Sequence, residues 1–230
     1  MTAPLGKSDA QKFLEKAPNA SFFQGYGLTE ASPVVLMSKL GSKNYGSVGS
    51  PSPDTEAKIV NISDPEFRGV GPNESGELLV RGPQIMLGYL NNEKSTKETI
   101  TEDGWLRTGD IAYYDENQEF YITDRLKELI KVKGFQVPPA ELEEILRCHA
   151  DIVDAAVIGI PDRNSGELPR AYVVSKNPEL TEKDVQGFVS ERVAEYKRLE
   201  GGVEFVQAIP KNATGKIMRK DLKAEYVKRS

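Results

Sequence analysis

The amino-acid sequence predicts an α+β fold in two parts, a β-rich region followed by a smaller, complete α+β domain. Between residues 45 and 122, glycines and prolines recur between short apolar runs, which is typical of strands joined by tight turns. After residue 134, strand patterns alternate with helix patterns over about a hundred residues. The charged stretch of residues 123–134 separates the two parts. Its position predicts a hinge within residues 123–127, and a surface hairpin laced with salt bridges is the alternative.

Composition excludes several classes of protein. With 230 residues, 38% hydrophobic and 28% charged, the chain is an ordinary globular protein, and its net charge of −5 argues against general nucleic-acid binding. No apolar run is as long as a membrane span, and the N-terminus lacks the pattern of a signal peptide. Cys148 and His149 are the only residues of their types, so neither a disulfide framework nor a multi-histidine metal site is expected. A reducing, intracellular environment follows as the expectation.

The first region is predicted to begin with a helix over residues 7–16, ended by Pro18, and a strand over residues 21–24. This strand runs into Gly25-Tyr26-Gly27-Leu28-Thr29-Glu30. Two glycines around a tyrosine let the backbone approach a flat ligand closely. The hydroxyl and carboxylate that follow suit phosphate and Mg²⁺. A turn with a half-buried tyrosine is the alternative.

The β-rich region contains predicted strands at residues 57–60, 76–81 and 119–122, and a polar helix at residues 92–99. Asp110 follows Gly109 and a Glu-Asp-Gly turn. An aspartate in this position can accept hydrogen bonds from two vicinal hydroxyls, as a ribose presents them. An aspartate that caps a turn is the alternative.

The last hundred residues carry clear local signals. Pro138 and Pro139 open a predicted helix with Leu142, Ile145 and Leu146 as its buried stripe. Strands are predicted at residues 153–160, 168–175 and 203–206, and residues 181–184 predict a capping box at the start of another helix. From residue 211 to the end, the sequence contains seven basic residues and two acidic ones. This basic tail can meet a phosphorylated ligand, and a solvated basic helix is the alternative.

The pair Gly215-Lys216 does not complete a P-loop, because Pro210 stands where the first glycine belongs and Ile217 follows the lysine. Together with the other motifs, however, this segment resembles a different family. Five motifs occur in one order: residues 24–30, Gly76-Glu77-Leu78 with Gly88-Tyr89, residues 105–110, residues 124–134 and residues 210–216. They resemble the later motifs of adenylate-forming enzymes, which include acyl-CoA synthetases, 4-coumarate–CoA ligases and firefly luciferase.

The resemblance covers nearly the whole chain and is closest to the 4-coumarate–CoA ligase and luciferase branch over residues 120–144. It implies that residues 1–122 are the last part of the large AMP-binding domain, with residues 45–122 as its β-rich subdomain. Residues 128–230 then correspond to the mobile C-terminal domain. The segment Pro4-Leu5-Gly6-Lys7 resembles a helix start within the large domain. Two departures are the absent phosphate loop, with everything before it, and Val132, where many relatives carry an aromatic residue.

The resemblance also implies roles for residues of the first region. Gly25 and Tyr26 face the adenine, Thr29 contacts phosphate, and Glu30 holds Mg²⁺. Asp110 takes the ribose hydroxyls, with Arg125 beside it. The implied nucleotide-binding set is Gln24, Gly25, Tyr26, Gly27, Thr29, Asp110 and Arg125.

In the second region, Lys127 is the implied hinge residue and Lys216 the catalytic lysine of adenylate formation. Lys131 and Gln136 act in the later, thioester-forming step, and Lys133 and Gly134 meet coenzyme A.

The expected function is therefore part of an ATP-dependent acid–CoA ligase, in which a carboxylate is activated as an acyl-adenylate and then passed to coenzyme A. Without a phosphate loop, the chain alone is expected to be inactive. The alternatives are a non-catalytic module that binds AMP, coenzyme A or a partner, and a luciferase-like oxygenase. Expected partners are a small carboxylic acid, ATP, coenzyme A and a missing N-terminal half or a protein that supplies it. The C-terminal residues are not a Ser-Lys-Leu signal, so the cytoplasm is expected, with the peroxisome as the alternative.

Overall fold

A computed structural model describes residues 7–62, 64, 66–213 and 215–229, and for residues 7–9 it describes only the backbone. Pro4, Leu5 and Gly6 of the helix-start motif and Thr214 of the lysine-bearing loop lie outside the described residues. The helices are α1 (Lys7–Lys16), α2 (Glu93–Thr99), α3 (Pro139–Arg147), α4 (Glu182–Ser190) and α5 (Arg219–Arg229). The strands are β1 (Gly25–Gly27), β2 (Val34–Met37), β3 (Ser50–Pro51), β4 (Glu56–Val60), β5 (Gly76–Arg81), β6 (Leu106–Tyr114), β7 (Phe120–Arg125), β8 (Ile130–Val132), β9 (Phe135–Val137), β10 (Ile152–Asp162), β11 (Gly166–Ser175) and β12 (Val203–Phe205). This mixture of helices and separate sheets confirms the predicted α+β class.

The chain forms two compact units, one that ends at Leu126 and one that begins at Lys127. The residues predicted as a hinge contain regular structure on the first side of this boundary. Thr123 lies within β7, which continues to Arg125, and a short 3₁₀ turn follows over Leu126–Glu128. Among the described residues, no helix combines the length and the apolar character that a membrane crossing requires.

The first unit begins with α1 and an antiparallel sheet of β1, β2 and β3. The strand predicted at residues 21–24 is wrong, because the chain becomes a strand only at Gly25, where β1 pairs with β2. The apolar character of the predicted segment has another cause. Phe22 packs its ring against those of Phe13 and Tyr45, with centroids 6.1 and 5.9 Å away. Ring packing, not strand pairing, therefore explains this apolar run.

The main sheet of the first unit is an antiparallel meander in the order β4-β5-β6-β7. The strand predictions at residues 57–60 and 76–81 are confirmed by β4 and β5, and that at residues 119–122 overlaps β7. One face packs Ile59, Leu78, Val80, Leu106 and Ala112 into a core that also contains Tyr26. The polar helix prediction is confirmed by α2, whose N-cap Asn92 accepts a hydrogen bond from the main chain of Ser95.

The strand β6 was not predicted, because its first half is the polar run Arg107-Thr108-Gly109-Asp110. The alternative that Asp110 caps a turn is wrong, since this residue lies within the strand and is 1% exposed. Side chains of neighbouring residues accept hydrogen bonds from the Gly109 and Asp110 amides of this run.

The second unit is built on a sheet in the order β10-β11-β8-β9, with β12 parallel to β11. The three predicted strands are confirmed as β10, β11 and β12, and the short hairpin β8–β9 adds two more. Alternate residues of β10 serve two cores, as the period of a strand requires. Val157 packs with α3 and α4, whereas Ile158 packs with α5. The predicted proline-initiated helix and capping box are also confirmed.

Candidate nucleotide-binding and catalytic residues

Two of the predicted nucleotide-binding residues, Tyr26 and Arg125, converge on the buried carboxylate of a third, Asp110. The Tyr26 hydroxyl donates a hydrogen bond to Asp110 Oδ2 at 2.6 Å, and Arg125 Nε lies 3.2 Å from Asp110 Oδ1. Arg125 is the direct cross-strand neighbour of Asp110 in the β6–β7 pairing. Tyr26 comes from a different sheet, 84 positions earlier in the chain. A buried carboxylate needs such partners, and its oxygens can each accept more than one hydrogen bond.

Burial and the anionic neighbour affect the phenol of Tyr26. Desolvation, followed by the charge and hydrogen bond of Asp110, raises the pKa of Tyr26 well above its usual range. The phenol is therefore a neutral donor throughout the physiological range. Its side chain is 5% exposed and belongs to the core of the first unit.

A β-bulge presents Asp110 to these partners. Glu77 of β5 pairs with Ile111 and Leu79 with Arg107, so the three residues 108–110 of β6 stand opposite Leu78 alone. The Thr108 hydroxyl donates to the Leu78 carbonyl at 2.7 Å and accepts from the Asp110 amide at 3.1 Å. Gly109 has a φ of +67°, which favours glycine. Bulges turn side chains out of the regular alternation, and this one points Asp110 at Tyr26.

The bulge is completed by a side chain to which sequence reasoning gave no role. Glu77 is 2% exposed, and its Oε1 accepts a hydrogen bond from the Gly109 amide at 3.2 Å. Its Oε2 lies 2.8 Å from Arg107 Nη2. The sequence signal that points to Glu77 is a charged residue directly before the apolar run Leu78-Leu79-Val80.

The segment before the site is shaped by close contacts within the chain itself. A Cβ added at Gly27 would lie 1.7 Å from the carbonyl oxygen of Pro33, so only glycine fits there. At Gly25 the nearest atom would be the Leu36 carbonyl oxygen, at an ordinary 3.4 Å. The Gln24 amide side chain donates to the Tyr45 carbonyl at 2.5 Å, so in this structure it braces a loop.

Thr29 and Glu30 form a short 3₁₀ turn beside the Gly88-Tyr89 motif. The Tyr89 hydroxyl donates to Glu30 Oε1 at 2.9 Å, and the Glu30 carbonyl accepts from the Met86 amide at 2.9 Å. Burial and the hydrogen bond to Glu30 raise the pKa of Tyr89. Two motifs far apart in sequence are thus joined at one carboxylate.

The chemistry of Glu30 fits a magnesium ion bound mainly through a substrate. Mg²⁺ is commonly held by one or two carboxylates together with phosphate oxygens and water. Within the described ranges, no group of three or more His, Cys, Asp or Glu side chains is arranged to hold a metal ion. Glu30 alone is therefore compatible with a nucleotide-bound ion and not with an all-protein metal site.

In the second unit, the β8–β9 hairpin brings together Lys131 and Gln136. These two residues are directly paired across the strands and both side chains are exposed. Their neighbours Ile130, Val132 and Val137 are buried beneath them. Opposite residues share a face of an antiparallel pair, so the two polar side chains lie side by side.

The turn of this hairpin consists of Lys133 and Gly134, with φ values of 49° and 85°. Two consecutive positive φ values are typical of the type I′ turn, which suits a two-residue hairpin. Both residues are exposed. Lys127, which begins the second unit, is exposed as well.

Lys216 lies in a loop that is pinned at several points. Asn212 Oδ1 accepts from the Lys216 amide at 2.9 Å, and the Lys216 carbonyl accepts from the Asn212 amide at 2.9 Å. A β-bridge joins Lys211 to Ile217, and Lys211 Nζ lies 2.6 Å from Asp154 of β10. Lys216, which is half-buried, is thus carried on a braced loop.

Part of the basic tail is used inside the second unit. Arg219 Nη2 lies 2.7 Å from Glu143 Oε2, and the two side chains are 12% and 4% exposed. Glu143 Oε1 also accepts from the Val157 amide at 2.9 Å, which ties α3, α5 and β10 together. Sequence reasoning missed Glu143, whose only signal is an acidic residue next to the apolar stripe of α3.

Comparison with known proteins agrees with this arrangement. Residues 1–90 match the AMP-binding enzyme family, and residues 141–216 match the C-terminal domain of AMP-binding enzymes. The chain belongs to the AMP-binding enzyme family. This membership confirms the resemblance inferred from the five motifs.

Three relatives illustrate the branch. The chain is 49% identical over 229 residues to 4-coumarate–CoA ligase 3 of Oryza sativa subsp. japonica, covering 96% of this chain and 41% of the relative. It is 47% identical over 216 residues to luciferin 4-monooxygenase of Luciola mingrelica, covering 94% and 39%. It is 48% identical over 223 residues to peroxisomal OPC-8:0-CoA ligase 1 of Arabidopsis thaliana, covering 96% and 40%. The chain thus spans about 40% of the length of the curated relatives it matches.

A solved structure has the same fold over nearly the whole chain. ATP-bound MatB from Rhodopseudomonas palustris matches with a TM-score of 0.90 and 28% identity, over 98% of this chain and 44% of that one.

Proposed function

We propose that this chain is the C-terminal portion of an ATP-dependent acid–CoA ligase of the 4-coumarate–CoA ligase type. The observation that carries the proposal is the convergence of Tyr26 and Arg125 on buried Asp110. It occurs in a chain 49% identical to a protein named 4-coumarate–CoA ligase. The proposed reaction has two steps. A carboxylate attacks the α-phosphate of ATP and releases pyrophosphate, and the thiol of coenzyme A then attacks the acyl-adenylate and releases AMP.

Asp110 is proposed to accept hydrogen bonds from the two ribose hydroxyls. Its partners support this role, because the fixed contacts of Tyr26 and Arg125 leave the carboxylate little freedom to turn. The Arg125 guanidinium also places a positive charge beside this carboxylate. A preoriented anion loses little entropy when the ribose binds.

The segment 24–30 is proposed to line the adenine and phosphate side of the nucleotide. Thr29 is exposed and offers its hydroxyl to a phosphate, and Gly25 leaves room for the base beside β1. Glu30 would hold Mg²⁺ while Tyr89 keeps its carboxylate in place. The ion would neutralise phosphate charge during adenylate formation.

Lys216 is proposed to stabilise the charge that builds up on the phosphate during the first step. A lysine suits this role because its ammonium is a compact charge on a flexible stem. The braced loop determines where that stem begins. The Asn212 side chain holds the Lys216 amide, and the Lys211–Asp154 pair anchors the start of the loop to β10.

Lys131 and Gln136 are proposed to serve the thioester step, with Lys133 and Gly134 near coenzyme A. The Lys131 amide donates to Glu167 at one end of the β10–β11 hairpin, whereas the Lys216 loop is anchored to Asp154 towards the other end. From Asp154 to Pro161, which pairs with Glu167, β10 advances seven residues, roughly 23 Å at about 3.3 Å per residue. Because the two anchor points are so far apart, Lys131 and Lys216 are proposed to act in different steps. Rotation about Lys127 would bring each lysine to the site in turn.

A chimera tests this division of labour. The chain replaces the corresponding C-terminal region of rice 4-coumarate–CoA ligase 3, and the two steps are assayed separately. Lys216→Ala is expected to slow ATP–pyrophosphate exchange by roughly 100- to 1000-fold and to spare thioester formation from synthetic acyl-adenylate. Lys131→Ala is expected to do the reverse. Exposed Lys220 provides the matched control, and Lys220→Ala should change neither step. If Lys216→Ala slows both steps equally or neither, the assignment fails.

Two other functions predict different results. A non-catalytic module would also bind AMP as the isolated chain, but the chimera would not make thioester. An oxygenase is suggested by the 47% identity to luciferin 4-monooxygenase, and it would consume O₂ and emit light with luciferin. The isolated chain is expected to form no acyl-adenylate, because most donors for the transition-state charge are not among its residues.

The proposed compartment is the cytoplasm, with the peroxisome as the alternative because one relative is named as peroxisomal. A fluorescent protein fused to the N-terminus, which leaves the C-terminal residues exposed, distinguishes the two by microscopy.

A further inference from the structure

Glu77 is an unusual residue for its position. It lies in β5 between buried neighbours, and its side chain is 2% exposed. A buried carboxylate is costly to desolvate, and replacing a buried ion pair by apolar residues often leaves stability unchanged or improves it. Stability alone therefore does not explain the charge. Its contacts do suggest an explanation, because one oxygen faces Arg107 and the other faces the Gly109 amide.

The Gly109 amide is the group that a bulge leaves outside the regular ladder. Residues 108–110 stand opposite Leu78 alone, so cross-strand carbonyls cannot serve all three amides. The Asp110 amide is satisfied by the Thr108 hydroxyl, and the Gly109 amide by Glu77. The Gly109 amide is part-buried, and an amide shielded from water is unfavourable without an acceptor, so loss of Glu77 would favour a different path for residues 108–110.

We propose that Glu77 is a positioning residue for the nucleotide site, acting through the bulge that directs Asp110 towards Tyr26 and Arg125. Its side chain contacts the Gly109 amide and the Arg107 guanidinium, so it acts through the backbone of the bulge. The inference rests on the proposed function, in which Asp110 binds the ribose. Its expected consequence is specific, because binding energy from the ribose hydroxyls should fall while other nucleotide contacts persist.

The test uses the 230-residue chain and three variants. Glu77→Leu removes the acceptor, and Glu77→Gln keeps an oxygen for the Gly109 amide. Because Arg107, whose side chain is 33% exposed, would lose its counter-charge and could itself destabilise the fold, Glu77→Leu/Arg107→Met replaces the pair by apolar groups and still removes the acceptor. The control is Glu56→Gln, which breaks an ion pair with Arg81 on the same sheet at 60% and 39% exposure, away from the bulge.

The first measurement needs no ligand. Amide hydrogen exchange at Gly109 is followed by NMR against the neighbouring β5–β6 amides. In Glu77→Leu and in the double variant, the protection factor of the Gly109 amide should fall at least about 10-fold. In Glu77→Gln and Glu56→Gln it should stay within about 3-fold of the value in the unmodified chain. Unchanged protection in the folded double variant would overturn the proposal.

The second measurement separates positioning from general stability. Affinities for AMP and 2′,3′-dideoxy-AMP are compared by calorimetry. The unmodified chain should bind AMP more tightly than dideoxy-AMP. In the double variant this ratio of affinities should fall at least about 10-fold, while the affinity for dideoxy-AMP stays unchanged. An equal loss for both nucleotides would refute positioning. If the unmodified chain shows no preference, the proposed function fails, and Gly109 exchange still decides the role of Glu77.

Discussion

Removal of the Glu143 carboxylate should destabilise the second unit more than any surface change. Glu143→Ala leaves the Arg219 guanidinium, 12% exposed, without its counter-charge and the Val157 amide without its acceptor. Breaking a buried pair from one side costs about 3–5 kcal/mol, because the remaining charge stays buried. At a denaturant slope of about 1–3 kcal/mol per molar urea, the unfolding midpoint should fall by at least about 1 M.

The assay can separate the two units because they carry different signals. Trp105, the only tryptophan of the sequence, is buried in the first unit, so its fluorescence follows that unit. Helices α3, α4 and α5 belong to the second unit and dominate the helical circular dichroism of the described residues. Glu143→Ala should therefore shift the dichroism transition and leave the tryptophan transition in place.

The matched control lies in the same helix. Glu141 pairs with Lys197 at 2.7 Å, but at 40% and 19% exposure of the two side chains. Glu141→Ala should cost only about 0.2–1 kcal/mol, the range of exposed pairs. Equal small shifts for both variants would refute the reasoning that burial decides the cost.

Two further outcomes are expected. Gly27→Ala should destabilise the first unit by about 1–3 kcal/mol, because its Cβ would overlap a main-chain carbonyl. Gly25→Ala, the control, should have little effect on stability. Urea unfolding followed by tryptophan fluorescence measures both variants, and equal effects would contradict the prediction. Hydrogen bonds from the Thr181 hydroxyl and amide hold the pKa of Asp184 below its ordinary value of 3.8. Its stabilising contribution is therefore complete above that value and is lost as the pH falls through the lower folded pKa. The gap in thermal midpoint between the unmodified chain and Asp184→Asn should narrow on acidification, and a gap independent of pH would contradict the assignment.

Local signals in the sequence were sufficient for several elements. The capping box at Thr181 needs only residues three positions apart, and the structure contains both of its hydrogen bonds. The two prolines at the start of α3, Pro138 at its N-cap and Pro139 as its first residue, act within one helical turn as well. In contrast, the apolar pair at residues 22–23 predicted a strand wrongly, because an apolar run does not specify whether its partner is a strand or a ring.

The motifs of residues 24–30 and 105–110 indicated the correct family and the candidate nucleotide-binding residues, since each motif is a contiguous run of residues. The sequence by itself therefore determined the class of fold, the starts of α3 and α4 and the identity of the residues to examine. Tertiary structure alone decided that Asp110 is buried, that Tyr26 reaches it from 84 positions away, and that Glu77 supports the bulge between them. The physical reason is strand register. A bulge changes which residues stand opposite each other, and a buried carboxylate is stable only where distant donors meet it, which no local pattern encodes.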